Sequence, residues 1–317
     1  MKLYISRPLP QTVLDRARQH FDMTYRTETT PMAEAECVAA LEGYDVVLPT
    51  LRDMYRAEVF AAAKNLRCKL LANFGVGYNH IDVAAARVHG IEVTNTPGAV
   101  TDATADIALM LILMSTRRAA EGERLVRTGT WEGWHPTQML GLHVTGKTVA
   151  IIGMGRIGKA IARRCHLGFG MEVVFFNRSP VADAGVPARQ MPTLEAAMAA
   201  ADFVVIAVPG GAETRHLIGE KAIAAMQTHA HLINIARGDV IDESALVAAL
   251  QAGRIGGAGL DVYEREPEVP EALLALENAT LLPHLGTATL EVRTAMGMMA
   301  LDNAIAFAEG RALPNPV

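Results

Sequence analysis

A glycine triplet set between an apolar strand and a helix constrains this chain more than any other feature. Thr148-Val149-Ala150-Ile151-Ile152 runs into Gly153-Met154-Gly155-Arg156-Ile157-Gly158, which opens a helical stretch through Lys159-Ala160-Ile161-Ala162. A bare G-x-G-x-x-G carries little weight. With a strand before it and a helix behind it, the glycines allow a tight turn and close backbone approach, and the helix N-terminus faces a pyrophosphate. Gly153, Gly155 and Gly158 are therefore expected to bind a dinucleotide, the bland alternative being a merely tight strand-to-helix turn.

Six strand-like runs surround this motif: 148–153, 172–177, 203–208, 231–236, 257–262 and 280–283. Amphipathic segments separate several of them, so a doubly wound parallel sheet is expected, with ligands along its carboxyl edge. Upstream, Val46-Val47-Leu48, Leu70-Leu71-Ala72 and Ile91-Glu92-Val93 alternate with Ala-rich helical segments, the pattern of a smaller α/β domain. Asn95-Thr96-Pro97-Gly98 and Pro283-His284-Leu285-Gly286 punctuate the two ends of the central block. The expected domains are thus 1–98 with 287–317, and 99–286. A C-terminal helix over about 290–309, stopped by Gly310, returns to the first domain. A length of 317 residues suits two domains.

Composition narrows the function classes. With a formal net charge of −5 the chain lacks the clustered basic residues that a dedicated nucleic-acid binder uses. Its strongest apolar run, Ile107 to Met114, is shorter than the roughly 20 residues of a membrane-spanning helix, and no signal-peptide core stands at the N-terminus. Cys37, Cys68 and Cys165 are widely spaced, so neither a metal site nor a disulfide framework is expected, and a reducing, cytoplasmic location follows.

NAD-binding versions of the glycine motif place an acid near the end of the next strand, where it holds the ribose hydroxyls. Here Asn177-Arg178-Ser179 stands there instead. A guanidinium and a hydroxyl, with no carboxylate to repel a 2′-phosphate, favour NADP(H), with NAD(H) possible. Alternatively Arg178 is a solvated charge beside an NAD-tolerant loop.

Three strand ends carry polar residues: Asn234-Ile235-Ala236-Arg237-Gly238-Asp239, Asp261 to Pro267, and Pro283-His284. Arg237 could engage a carboxylate and an adjacent carbonyl with its planar fork. A carboxylate beside an imidazole favours the charged ring, so pairing Glu266 with His284 would supply a general acid. Each residue alone would read as a structural histidine or a surface ion-pairing group.

Together these segments are similar to the D-2-hydroxyacid dehydrogenase family, and within it to the glyoxylate/hydroxypyruvate reductases. The resemblance spans nearly the whole chain through Asn73-Phe74-Gly75-Val76-Gly77, the glycine motif, Asn234 to Gly238, Gly259 to Pro267, and Pro283 to Thr289. It implies a Rossmann NAD(P)-binding domain inserted into a flavodoxin-like substrate domain. It also implies reduction of a small 2-keto acid to its D-2-hydroxy acid, with Arg237 orienting the substrate, His284 protonating the carbonyl oxygen and Glu266 holding the histidine. The substrate carboxylate would meet the backbone amides of Val76 and Gly77, with Leu51 nearby. Further cofactor contacts implied are Thr104, Arg156 and Ile157 at the phosphates, then Val208, Pro209, Thr214, Ala236, Asp261 and Gly286. Asp261 would bind the nicotinamide amide or else serve as a turn residue. The segment Trp131-Glu132-Gly133-Trp134-His135-Pro136 lies where the family carries a dimerisation extension, so a homodimer is implied. Asn79 departs from the Asp of many relatives.

Two alternatives compete: an NAD-dependent D-2-hydroxyacid or phosphoglycerate-type dehydrogenase, and a catalytically silent NAD(P)-sensing binding protein. The Asn177-Arg178-Ser179 run disfavours the first. Arg237, Glu266 and His284 together disfavour the second. In the formate dehydrogenases, which share the architecture, glutamine replaces the acid that Glu266 provides.

Overall fold

The computed structural model describes residues 1–317, which form two units: Met1–Val100 with Thr287–Val317, and Thr101–Gly286. Both are built on wholly parallel sheets.

The first unit carries β1 (Lys2–Ile5), β2 (Asp22–Tyr25), β3 (Val46–Leu48), β4 (Leu70–Ala72) and β5 (Glu92–Thr94), in the order β2-β1-β3-β4-β5. That is the flavodoxin-like order. The central strands β3 and β4 are fully buried, so they read as continuous apolar runs. Leu3, Ile5, Val46 and Leu48 enter one core, while Val47 and Leu71 enter the other. The helix Leu290–Ala308, capped by the Thr289 hydroxyl accepting from the Val292 amide at 3.2 Å, packs on the first core through Ala300, Leu301, Ala304 and Ile305. Gly297 lets it approach the helix Gln11–His20, since a Cβ there would lie 2.7 Å from a Val13 methyl. Gly310, at φ +67°, ends it in the left-handed conformation that suits glycine.

The second unit has seven strands: β6 (Thr148–Ile152), β7 (Glu172–Phe176), β8 (Arg189–Gln190), β9 (Phe203–Ile206), β10 (His231–Asn234), β11 (Gly257–Leu260) and β12 (Ala279–Leu281). Their order is β12-β11-β10-β9-β6-β7-β8. This is the Rossmann order extended by one strand, with its reversal between β6 and β9. Six strands were expected, and β8 is the one missed. It has two polar residues and no apolar run, and it exists only through its pairing with Val174 and Phe175 of β7. Along β6, Val149 and Ile151 enter one core and Ala150 and Ile152 the other, the period of two that a strand buried on both faces requires.

The helix Thr101–Thr116 covers one face of this sheet through Ala105, Ala108, Leu111 and Ile112. Each large side chain of that stripe contributes about 1.5–3 kcal/mol by leaving water. Arg164 ties the helix down further, binding Asp106 at 2.6 Å and Asp102 at 3.0 Å. No helix is long and apolar enough to cross a membrane.

Candidate active site

Apart from Thr104, which lies on the helix Thr101–Thr116, every expected cofactor and catalytic segment of the second unit leaves the carboxyl end of a strand, where a doubly wound sheet places ligands. Gly153 turns the chain after β6 at φ +103°, and a Cβ there would lie 2.8 Å from the Ala207 carbonyl oxygen. Gly158 packs against the Gly153 carbonyl so closely that a Cβ could not be accommodated. Gly155 differs from both. It is exposed, and a Cβ on it would meet nothing within 4 Å, so its backbone is open to a ligand. Gly155 also caps the helix Arg156–Arg163 without a side-chain bond, leaving first-turn N–H groups to face an anion. The observed geometry fits a dinucleotide pyrophosphate.

After β7, the Asn177 side chain turns inward. Its Oδ1 accepts from the Met154 amide at 3.3 Å and its Nδ2 donates to the Ser179 carbonyl at 2.9 Å, joining the glycine turn to the loop after β7. Gln190 on β8 secures the same loop by donating to the carbonyls of Asn177 and Ser179, each at 3.2 Å. Arg178 and Ser179 remain exposed, and Arg178 forms an ion pair with Glu213 from the segment after β9. In that segment the Thr214 hydroxyl donates to the Pro209 carbonyl at 2.8 Å. Neither Gln190 nor Glu213 is visible as a site residue in the sequence.

Arg237 is placed by its neighbours. The buried Asn234 closes a turn after β10, with Oδ1 accepting from the Ala236 amide at 3.0 Å and Nδ2 donating to the Arg237 carbonyl at 2.9 Å. Gly210 packs against the Arg237 side chain, where a Cβ would sit 2.6 Å from Cγ. Gly238 is indispensable for a second approach: a Cβ would collide with the backbone of Tyr263 and Glu264. The loop bearing Glu266 is thereby brought beside Arg237. Burial pulls the guanidinium down from its ordinary value while Glu266 and Asp239 oppose it.

His284 Nδ1 faces Glu266 Oε2 at 3.0 Å, and the other Glu266 oxygen accepts from the Tyr263 amide at 3.2 Å. Burial pushes the Glu266 carboxyl up. The hydrogen bond and charge of His284, the Tyr263 amide and the Arg237 charge overcome it and hold the group below the ordinary carboxylate value. His284 itself stands at φ +56°, a conformation that costs a non-glycine residue about 1–3 kcal/mol. The buried Asp261 holds it there: its carbonyl accepts from the His284 amide at 2.9 Å, Oδ1 from Leu285 at 2.6 Å and Oδ2 from Gly286 at 2.8 Å. Thr104, expected at the phosphates, donates its hydroxyl proton to the Gly286 carbonyl at 3.2 Å and so belongs to the support of this same turn.

In the first unit, Leu51 follows β3, and Val76 and Gly77 follow β4; a bridge between Thr50 and Phe74 sets the two loops side by side. The buried Asp53 clamps the Leu51 turn, accepting from the Thr50 amide at 2.8 Å, the Met32 amide at 3.0 Å and Arg7 Nη2 at 3.2 Å. Sequence alone offers no sign of that role.

Comparison with known proteins agrees with this architecture. Residues 109–286 match the family described as D-isomer specific 2-hydroxyacid dehydrogenase, NAD binding domain. The chain is 42% identical over 322 residues to the glyoxylate reductase of Thermococcus gammatolerans, covering 100% of this chain and 95% of that one. Among solved structures it superposes on a protein from Thermus thermophilus with a TM-score of 0.91 and 41% identity, each chain covered in full. It also superposes on the NADPH-dependent glyoxylate/hydroxypyruvate reductase of Sinorhizobium meliloti, solved with NADP and malonate, with a TM-score of 0.88, 35% identity, and coverage of 100% and 96%. The second unit is an NAD-binding domain of the Rossmann type. The chain belongs to the D-isomer specific 2-hydroxyacid dehydrogenase family.

Proposed function

We propose that this enzyme reduces a small 2-keto acid, glyoxylate or hydroxypyruvate, to the D-2-hydroxy acid at the expense of a reduced nicotinamide cofactor. The observation that carries this reading is the His284–Glu266 pair at 3.0 Å with the Arg237 guanidinium beside it. Glu266 accepts from Nδ1–H and so leaves the second ring nitrogen, Nε2, to carry the transferable proton. A bound reduced nicotinamide supplies the hydride that adds to the substrate C2. Nε2 of His284 gives its proton to the carbonyl oxygen, and general-acid help of this kind is worth about 10²–10⁴ in rate. Arg237, protonated at any physiological pH, holds the carboxylate and polarises the carbonyl. Val76 and Gly77, with Leu51, are assigned the contact to the substrate carboxylate.

The cofactor segments are assigned as follows. Gly153, Gly155, Arg156, Ile157 and Gly158 bind the pyrophosphate, Val208, Pro209 and Thr214 line the adenosine side, and Ala236 and the Asp261–Gly286 support lie toward the nicotinamide. The absence of an acid at Asn177 and the exposure of Arg178 and Ser179 support NADP(H) as the preferred cofactor. The Arg178–Glu213 ion pair favours a second reading in which NADH is also accepted. Trp131 and Trp134, 52% and 79% exposed, are large apolar surfaces of the kind an interface covers, and support a homodimer. Three free, buried cysteines, each thiol pushed up to about 12 by burial, support the reducing cytoplasm.

Steady-state rates with NADPH and NADH against glyoxylate, hydroxypyruvate, pyruvate and phenylpyruvate test the proposal. Turnover of the two small acids, faster with NADPH, is expected. Tight NADPH binding without turnover of any of the four would instead mark a sensing protein.

A further inference from the structure

The loop Gly75-Val76-Gly77 has its carbonyls fastened by side chains, and this bears on how the substrate is held. Asn73 Nδ2 donates to the carbonyl of Gly75 at 3.0 Å and to that of Gly77 at 3.1 Å. Asn95 Nδ2 donates to the Val76 carbonyl between them at 2.9 Å. The Thr96 amide donates to Gly75 as well, at 3.0 Å. All three carbonyls are thus turned toward the protein and satisfied. The amides of Val76 and Gly77, in contrast, make no hydrogen bond within the chain. Asn73 is itself oriented, because its Oδ1 faces His80 Nε2 at 3.0 Å and both residues are buried. A buried Nε2–H donor on the oxygen side of an amide fixes which end of that amide donates, so His80 sets Asn73 and Asn73 sets the loop.

We propose that Asn73, Asn95 and His80 are positioning residues that lock this loop into an anion-binding conformation, and that this lock determines affinity for the substrate carboxylate. The proposal rests on the assignment of Val76 and Gly77 to that carboxylate. Neutral amides with fixed dipoles select an anionic oxygen pair without adding a charged side chain. If the lock fails, a carbonyl turns outward and repels the same group.

The test is Asn95→Asp, at a partly exposed position where a donor becomes an acceptor aimed at the Val76 carbonyl, with Asn95→Ala and Asn73→Asp beside it. The KM for glyoxylate and the inhibition constant for oxalate, which carries carboxylates but no reducible carbonyl, are measured together with the KM for NADPH and thermal stability. Asn95→Asp is expected to raise the glyoxylate KM and the oxalate constant in parallel by roughly tenfold, the size of effect that loss of one oriented hydrogen bond produces. Asn95→Ala should raise both by less, with kcat and the NADPH KM changing under twofold in each. If folded Asn95 variants keep both constants within twofold of wild type, or if substrate and cofactor KM rise equally, the lock is overturned while the reductase assignment stands. If Asn95→Asp does not fold, the same criteria apply to Asn95→Ala. Wild-type protein that neither turns over glyoxylate nor responds to oxalate would overturn the reductase assignment itself.

Discussion

Glu266 meets His284 through Oε2 and Nδ1 at 3.0 Å while its other oxygen is occupied by the Tyr263 amide, so the carboxylate is held at both ends. The pair fixes the imidazole with Nδ1–H directed at Glu266 and Nε2 turned away from it. Replacement by glutamine keeps the size and removes the charge. Glu266→Gln should lower kcat for glyoxylate reduction by at least roughly tenfold, within the span of general acid–base effects.

The same carboxyl lies below its ordinary value in the folded protein, which gives a sign to its effect on stability. Its contribution is present above the unfolded value, about 4.3, and is lost as pH falls through the lower folded value. The difference in thermal midpoint between wild type and Glu266→Gln should therefore stay flat above about pH 5 and shrink on acidification below about pH 4. A difference that grows on acidification would contradict this.

Asp261 offers three acceptors to the His284 turn. Asn at that position presents an N–H to a backbone N–H and loosens the turn. If the residue acts through His284, Asp261→Asn should lower kcat roughly tenfold to a hundredfold, as misplacement of a catalytic group does, with the NADPH KM little changed. A rise confined to the cofactor KM would instead assign Asp261 to the nicotinamide amide.

Arg178→Ala should raise the KM for NADPH about tenfold and that for NADH little, as loss of a hydrogen bond to a charged phosphate implies. Glu213 competes for the same guanidinium. Glu213→Gln should accordingly lower the NADPH KM, and the effect should vanish in the Arg178→Ala background, where a double-mutant cycle has nothing left to couple. Equal shifts for both cofactors would remove Arg178 from 2′-phosphate recognition.

His231, buried on β10 against Gly256 and Gly257, is pushed down to about 4 by burial. Between its unfolded value near 6.5 and about 4 the unfolded chain binds the extra proton, so stability must fall as pH drops through that window. His231→Gln should flatten this part of the stability profile in thermal unfolding from pH 7 to 4.

The parts of the fold legible in the sequence are those with a local signal. The glycine motif has a distinct steric or exposure requirement at each of its three glycines, and the apolar strands of both sheets announce themselves by burial on both faces. Arg237, Glu266 and His284 stand out as polar groups at strand ends, and the structure brings them to one edge. Apart from the Glu266–His284 pair, partnerships between distant residues were not legible. Asn73 and Asn95, 22 positions apart, grip one loop, and Arg178 and Glu213, 35 apart, pair across two others. The two-residue β8 depends on β7 for its existence. Such contacts are tertiary in origin, and no periodicity or spacing encodes them.

The most direct measurement is single-turnover reduction of glyoxylate by His284→Asn with NADPH bound to saturation. The rate should fall by roughly a hundredfold or more, in line with loss of a general acid, while the dissociation constant for NADPH stays within twofold of wild type. A rate equal to that of wild type would contradict proton transfer from His284 and with it the assigned chemistry.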